Sequence, residues 1–106
     1  MRYKINLLPE AEDDLVDIYK YVAVNDSFDK AENLFNDLYD TTLTLQDFPH
    51  RGHIIHDFPG IDVNYLEIDH YPYRIIYQVF GNTIFVHCIL DGRRNVQDLL
   101  KERLLR

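Results

Sequence analysis

The sequence has no tryptophan, and cysteine, methionine and serine occur once each among its 106 residues. A lone Cys88 excludes an internal disulfide framework, and the expected setting is a reducing, cytoplasmic one. It lies mid-strand among apolar residues, the environment of an inert buried thiol rather than a nucleophile. The one serine, Ser27, is better explained as a helix cap than as a hydrolase nucleophile. Glycine and proline are limited to four each. They mark no linker, repeat or low-complexity segment, so residues 1–106 read as one domain with one core. No basic-then-apolar leader opens the chain, and no apolar run approaches the ~20 residues of a membrane helix, so neither targeting nor membrane insertion is expected.

Basic charge is the other scarcity. The formal net charge is −7, and no lysine occurs between Lys30 and Lys101. From Glu10 to Phe48 eleven acids face only Lys20 and Lys30, a net of −9, whereas Arg93 to Arg106 nets +3. This acidic first half with a mildly basic end argues against general nucleic-acid binding, which needs many phosphate-neutralising bases. No direct DNA binding is expected. An acidic helix face is either simply solvated or a dock for a partner with basic residues.

What is present is organised around Tyr71 to Arg94. Two runs rich in β-branched and aromatic residues, Tyr73–Phe80 and Thr83–Leu90, flank Gly81-Asn82 and predict a tight hairpin. The second run leads into Asp91-Gly92-Arg93-Arg94, which places two guanidinium groups at the rim of a sheet. Tyr73, Ile75, Tyr77 and Val79 should share one face, and Arg74, Ile76, Gln78 and Phe80 the other. Strict alternation would put Ile84, Val86, Cys88 and Leu90 together as well.

Ahead of the hairpin, Arg2 to Leu8 alternates as a strand. Pro9 suits the first turn of a helix carrying Ala11, Leu15, Ile18, Tyr19 and Val22 on one stripe. Asn25-Asp26-Ser27 breaks that pattern and caps a second helix with Phe28, Ala31, Leu34, Phe35, Leu38, Thr42 and Leu45 on one side. Phe48-Pro49 should end it after about twenty residues, about 30 Å. Pro49 to Asp62 reads as loop, with a short edge strand at Ile54-Ile55. A strand resumes over Val63 to Asp69, and Asn95 caps a C-terminal helix. The order is β-α-α-β-β-β-α: an α+β fold with a mostly antiparallel sheet against an N-terminal helical hairpin.

Three chemistries can be drawn on these residues. His50, His53 and His56, with Asp57, recur at three-residue spacing, but without a helical H-x-x-x-H or paired cysteines they read as loop histidines, and no metal is expected. A metal-free ribonuclease needs a base for the ribose 2′-hydroxyl, a cation for the phosphorane and an acid for the leaving oxygen. Candidates are His50, Arg51, His53, His70, Tyr71, Arg74, Arg93 and Arg94, with His70, Tyr71, Arg74 and Arg93 as the set expected around the scissile phosphate. Arg74 also has a plain role, pairing with Glu67 or Asp69 across strands. Arg93 and Arg94 are the type of residue enriched at protein-interface hot spots.

Taken in order, Pro9–Ile18 (PEAEDDLVDI), Pro49-x-x-Gly52, Tyr73–Tyr77 (YRIIY) and Gly92–Leu100 (GRRNVQDLL) resemble toxins of the RelE/ParE superfamily from bacterial type II toxin–antitoxin modules. The resemblance covers nearly the whole chain. RelE-like members cleave mRNA on the ribosome and are typically basic. ParE-like members share the fold, lack that catalytic set and poison DNA gyrase. The hydrophobic-then-GRR ending and the missing lysines resemble the ParE branch.

The resemblance implies a gyrase inhibitor rather than an enzyme, with Arg74, Arg93 and Arg94 meeting the target and no cofactor. The alternative it leaves is a RelE-type endoribonuclease. It further implies a cognate antitoxin whose basic-containing tail wraps the helices, meeting Leu15, Ile18, Tyr19 and Leu38. Asp91 departs from the pattern, since relatives often carry His before Gly-Arg-Arg. A negative charge there admits a third reading, a non-toxic member that only binds its antitoxin.

Overall fold

The element boundaries follow from local chemistry. In a computed structural model, which describes residues 2–55 and 64–105, Pro9 stands at the start of α1 (Pro9–Asn25), with Glu10 and Glu12 in its first turn. Acids are favoured there by the positive end of the helix dipole. Ser27 turns the chain into α2 (Phe28–Leu43), its hydroxyl accepting from the Lys30 amide at 3.1 Å. The remaining elements are β1 (Lys4–Leu7), β2 (His53–Ile54), β3 (Leu66–His70), β4 (Tyr73–Phe80), β5 (Thr83–Asp91) and α3 (Val96–Leu104). The Asn95 side chain caps α3 by accepting from the Asp98 amide.

The sheet order is β1-β5-β4-β3-β2, antiparallel except for the parallel β1–β5 pair. Gly81, at φ +58°, makes the two-residue turn between β4 and β5. That backbone region is open to glycine at little cost.

One face of the sheet carries Ile68, Tyr73, Ile75, Tyr77, Ile84, Val86 and Ile89, packed against Ala11, Leu15, Leu38 and Leu45. The opposite face carries Ile76, Cys88 and Leu90, covered by Val96 and Leu100 of α3 together with Ile55.

Three expectations need correction. Helix α2 stops at Leu43 and tightens into a 3-10 turn over Thr44–Gln46, instead of running to Phe48. At 16 residues it is about 24 Å long. The Thr44 hydroxyl turns back onto the Thr41 carbonyl at 2.6 Å, the local bonding by which threonine competes with helical continuation.

The second correction concerns β5. Tyr77 pairs with Val86 but Ile76 with Cys88, so His87 is an extra, bulged residue. A bulge reverses the alternation beyond it. Ile84 and Val86 therefore face the helical hairpin, whereas Cys88 and Leu90 face α3.

The short edge strand lies one residue earlier than expected, at His53–Ile54, and Ile55 is buried. His56 and Asp57 lie outside the described residues.

Candidate functional site

The end of the sheet where β3 turns into β4 and β5 leaves for α3 is shaped by two close backbone approaches. The Gly92 amide donates to the Pro72 carbonyl at 2.7 Å, and a Cβ on Gly92 would stand 2.8 Å from that oxygen. The glycine of Gly-Arg-Arg is thus what lets the strand exit pass over the Tyr71-Pro72 turn. At the far side of the sheet, a Cβ on Gly52 would stand 2.5 Å from the Tyr77 hydroxyl. That hydroxyl accepts from the Gly52 amide and donates to the Pro49 carbonyl, at 3.1 and 2.9 Å. Pro49-x-x-Gly52 is therefore the loop that closes over a buried tyrosine. Burial raises the Tyr77 pKa, which keeps the phenol protonated and able to donate.

Between these points lies a concavity of about 440 Å³ lined by His53, Glu67, Asp69, Tyr71, Arg74, Gly92 and Arg93, among others. A second, of about 500 Å³, lies on the other side of Arg93 and includes Ile18, Tyr21, Tyr73, Asp91 and Arg94. Arg93 walls both.

The arginines differ in what they can still do. Arg74 gives two nitrogens to the two carboxylate oxygens of Glu67, at 2.6 and 2.8 Å, and both side chains are largely buried. Of the two cross-strand partners named from sequence, Glu67 is the one bonded, reached diagonally, since the register places Asp69 opposite Arg74. Arg93 is mostly exposed and donates to both oxygens of Asp91, at 3.1 and 2.9 Å. Asp91 also accepts from the Arg93 amide. The Arg93 side chain holds the Asp91 carboxyl below the usual carboxylate value, although partial burial opposes it. Arg94 is exposed, and its guanidinium makes no hydrogen bond or salt bridge among the described residues, acting on Asp91 only through space.

Of the four residues expected around the scissile phosphate, Tyr71, Arg74 and Arg93 line the first concavity. His70 does not. It follows Leu66 and Ile68 on the helix-facing side of β3 and points its Nε2 at Asp37 of α2, 4.0 Å away. The sheet stands between His70 and Arg74.

The residues expected to meet an antitoxin also separate. Leu15 and Leu38 are core side chains, 4% and 0% exposed, although Leu15 still lines the floor of a concavity beside β1. Ile18 and Tyr19 are half-buried. Among the exposed apolar side chains of the helices, which include Tyr21, Val24 and Phe28, Val16 and Tyr39 join half-buried Phe35, Leu15 and the β1 residues Ile5 and Leu7 in a concavity of about 490 Å³. Helical spacing gave the stripe except at Phe28, which opens the second helix and is 72% exposed. It could not say which residues at the stripe's margin remain outside.

Sequence reasoning missed one group altogether. β1 ends at Leu7, opposite Val86, leaving the rest of β5 with an open edge. Asp14 of α1 accepts from the Ile89 amide at 2.9 Å, and Arg103 of α3 donates to the His87 carbonyl at 3.4 Å. Arg103 also gives two nitrogens to Asp14, both at 2.9 Å, and one to Glu10 at 2.8 Å. Burial works against the Arg103 charge, but Asp14 outweighs it and the pKa is raised. Nothing in the sequence flags these residues, because they meet only through the unmatched lengths of β1 and β5.

Comparison with known proteins agrees with this architecture. None of the curated proteins matches the chain by sequence. Among solved structures it is similar to the chromosomal ParDE toxin–antitoxin system of P. aeruginosa (20% identity, TM-score 0.68, covering 83% of this chain and 94% of that one). It is also similar to the RelBE2 toxin–antitoxin complex of Mycobacterium tuberculosis (13%, 0.64, 86% and 92%). A third likeness is to an arginine-to-alanine double mutant of E. coli toxin RelE in its free state (15%, 0.65, 100% and 98%). These likenesses establish the RelE/ParE fold. Sequence adds the family: residues 5–96 match the family described as ParE toxin of type II toxin-antitoxin system, parDE, and the chain belongs to it.

Proposed function

We propose that this toxin acts in the cytoplasm by binding DNA gyrase, through Arg93, Arg94 and the C-terminal segment, and that it performs no chemistry of its own. The observation that carries this reading is the separation of His70 from Arg74 by the sheet. A general base and a phosphorane-stabilising cation must converge within hydrogen-bond reach of one phosphate. Arg74 is moreover engaged by a buried carboxylate on both oxygens. What remains at this end is an exposed Tyr71, Arg93 and Arg94, with Tyr21 exposed beside them. Tyrosine and arginine are the side chains that dominate protein-interface energetics.

A cognate antitoxin neutralises the toxin on the other side of the molecule. The concavity between β1 and Val16, Phe35 and Tyr39 suits the apolar side of an extended or helical tail. The acidic helices around it favour a tail with basic residues.

The Asp91–Arg93 pair favours a second reading, a member that binds antitoxin without toxicity, because it occupies one of the two exposed guanidinium groups. Induced expression in bacteria, with DNA and protein synthesis followed separately by pulse labelling, separates the readings. Early arrest of DNA synthesis is expected. Early arrest of protein synthesis would replace the proposal with mRNA cleavage, and the absence of any arrest would leave antitoxin binding alone.

A further inference from the structure

The edge strand β2 is held to β3 by only two residue pairs, His53 with Glu67 and Ile54 with Leu66. Two residues on from Glu67, Asp69 projects from the same side of β3, because side chains in a strand alternate. The ligand-capable atoms of His53, Glu67 and Asp69 all lie within 4.8 Å of one another, and His53 Nε2 is 3.7 Å from Glu67 Oε2. All three residues line the 440 Å³ concavity. Two carboxylates stand against the Arg74 guanidinium bound to Glu67, the other guanidinium of the concavity, Arg93, is paired with Asp91, and the imidazole is uncharged when it ligates. Asp69 accepts no hydrogen bond among the described residues, so its carboxylate is available.

Arg74 does not close the site. A carboxylate offers about four lone-pair directions, and the two guanidinium contacts use one on each oxygen of Glu67. Lone pairs remain on the side of His53. Nitrogen and oxygen ligands bind zinc at about 2.0–2.2 Å, so the ligand atoms must close to about 3–3.5 Å from one another. Asp69 is exposed and its carboxylate can turn toward the metal, His53 would exchange its present contacts for the ion, and Glu67 is fixed by its burial.

We propose that His53, Glu67 and Asp69 form a zinc site that staples β2 to β3. With three protein ligands, its fourth position opens into the concavity beside Tyr71 and Arg93, where water or a partner's carboxylate completes the tetrahedron. The inference does not depend on the identity of the toxin's target.

The test uses the tag-free full chain after chelator treatment, titrated with zinc chloride by calorimetry and followed by thermal melting. The expected result is one saturable equivalent of zinc and a melting temperature that rises with zinc, as for any ligand bound only by the folded state. His53→Ala and Asp69→Asn should each weaken binding by about tenfold or more. Both sites are exposed, so far-ultraviolet circular dichroism should show the metal-free fold unchanged. His50→Ala, on the exposed loop, should bind as the wild type does. Absence of saturable binding overturns the site. So does binding that survives either His53→Ala or Asp69→Asn, or that is lost with His50→Ala.

Discussion

Arg103 and Arg93 make nearly the same bonds and do opposite things. Each gives two nitrogens to one aspartate at about 3 Å. Arg103 is largely buried, and its partner Asp14 lies 89 residues away on another helix, so the pair fastens α3 to α1 across the open edge of β5. Arg93 is 62% exposed, and its partner lies two residues away in the same strand exit. An ion pair spanning distant elements and shielded from water restrains the fold. One confined to a single turn in solvent contributes little to stability and mainly decides which charge the surface presents. The edge closed by Arg103 belongs to structure, and the end carrying Arg93 is free for recognition.

The largest expected effect falls on the closed edge. Asp14→Ala leaves the Ile89 amide without its acceptor and Arg103 without its main partner, and should cost about 2–4 kcal/mol in denaturant unfolding. A loss comparable to that of a surface substitution would show that the clamp carries no stability. Next, Tyr77→Phe removes the hydroxyl that joins Pro49 and Gly52, with an expected cost of about 1–2 kcal/mol. Hydrogen exchange should then quicken at Gly52 more than at the α1 core.

At the open end the comparison predicts small stability effects and large functional ones. Asp91→Asn should leave the unfolding midpoint nearly unchanged at neutral pH while increasing growth arrest, because it releases Arg93. The pH dependence has a defined sign. Asp91 has a lowered pKa in the folded chain, so its contribution is present above the ordinary carboxylate value of 3.8 and fades as pH falls through the lowered one. The difference between wild type and Asp91→Asn should therefore disappear in acid. The smallest effect concerns Cys88, whose thiol is pushed up to about 12 chiefly by burial. An aromatic disulfide reagent should react with it only at the rate of unfolding, and fast labelling of the native chain would show that α3 opens readily.

Much of this was legible in the chain. The hairpin at Gly81-Asn82, the caps at Ser27 and Asn95, and the helical start at Pro9 are local signals, and each appears where its chemistry requires. The family was legible too, because the order of its motifs survives where each alone is weak. The unread features are non-local. The bulge at His87 inverts the faces of Cys88 and Leu90, and no alternation rule sees an inserted residue. His53 reads as a loop histidine because the carboxylates near it come from β3, and Phe28 reads as part of a buried stripe because spacing does not reveal what covers it. His70 and Arg74, four residues apart, looked convergent. The intervening turn sends them to opposite faces.

The exposed Arg93–Arg94 end is proposed to act on a protein target without catalysis. That role is tested most directly by DNA supercoiling with purified gyrase, comparing the wild-type chain with the double substitution Arg93→Ala/Arg94→Ala. The wild type should inhibit supercoiling, and the double variant should lose inhibition while keeping its unfolding midpoint and its antitoxin binding. Equal inhibition by both chains, or none by the wild type, would contradict the account.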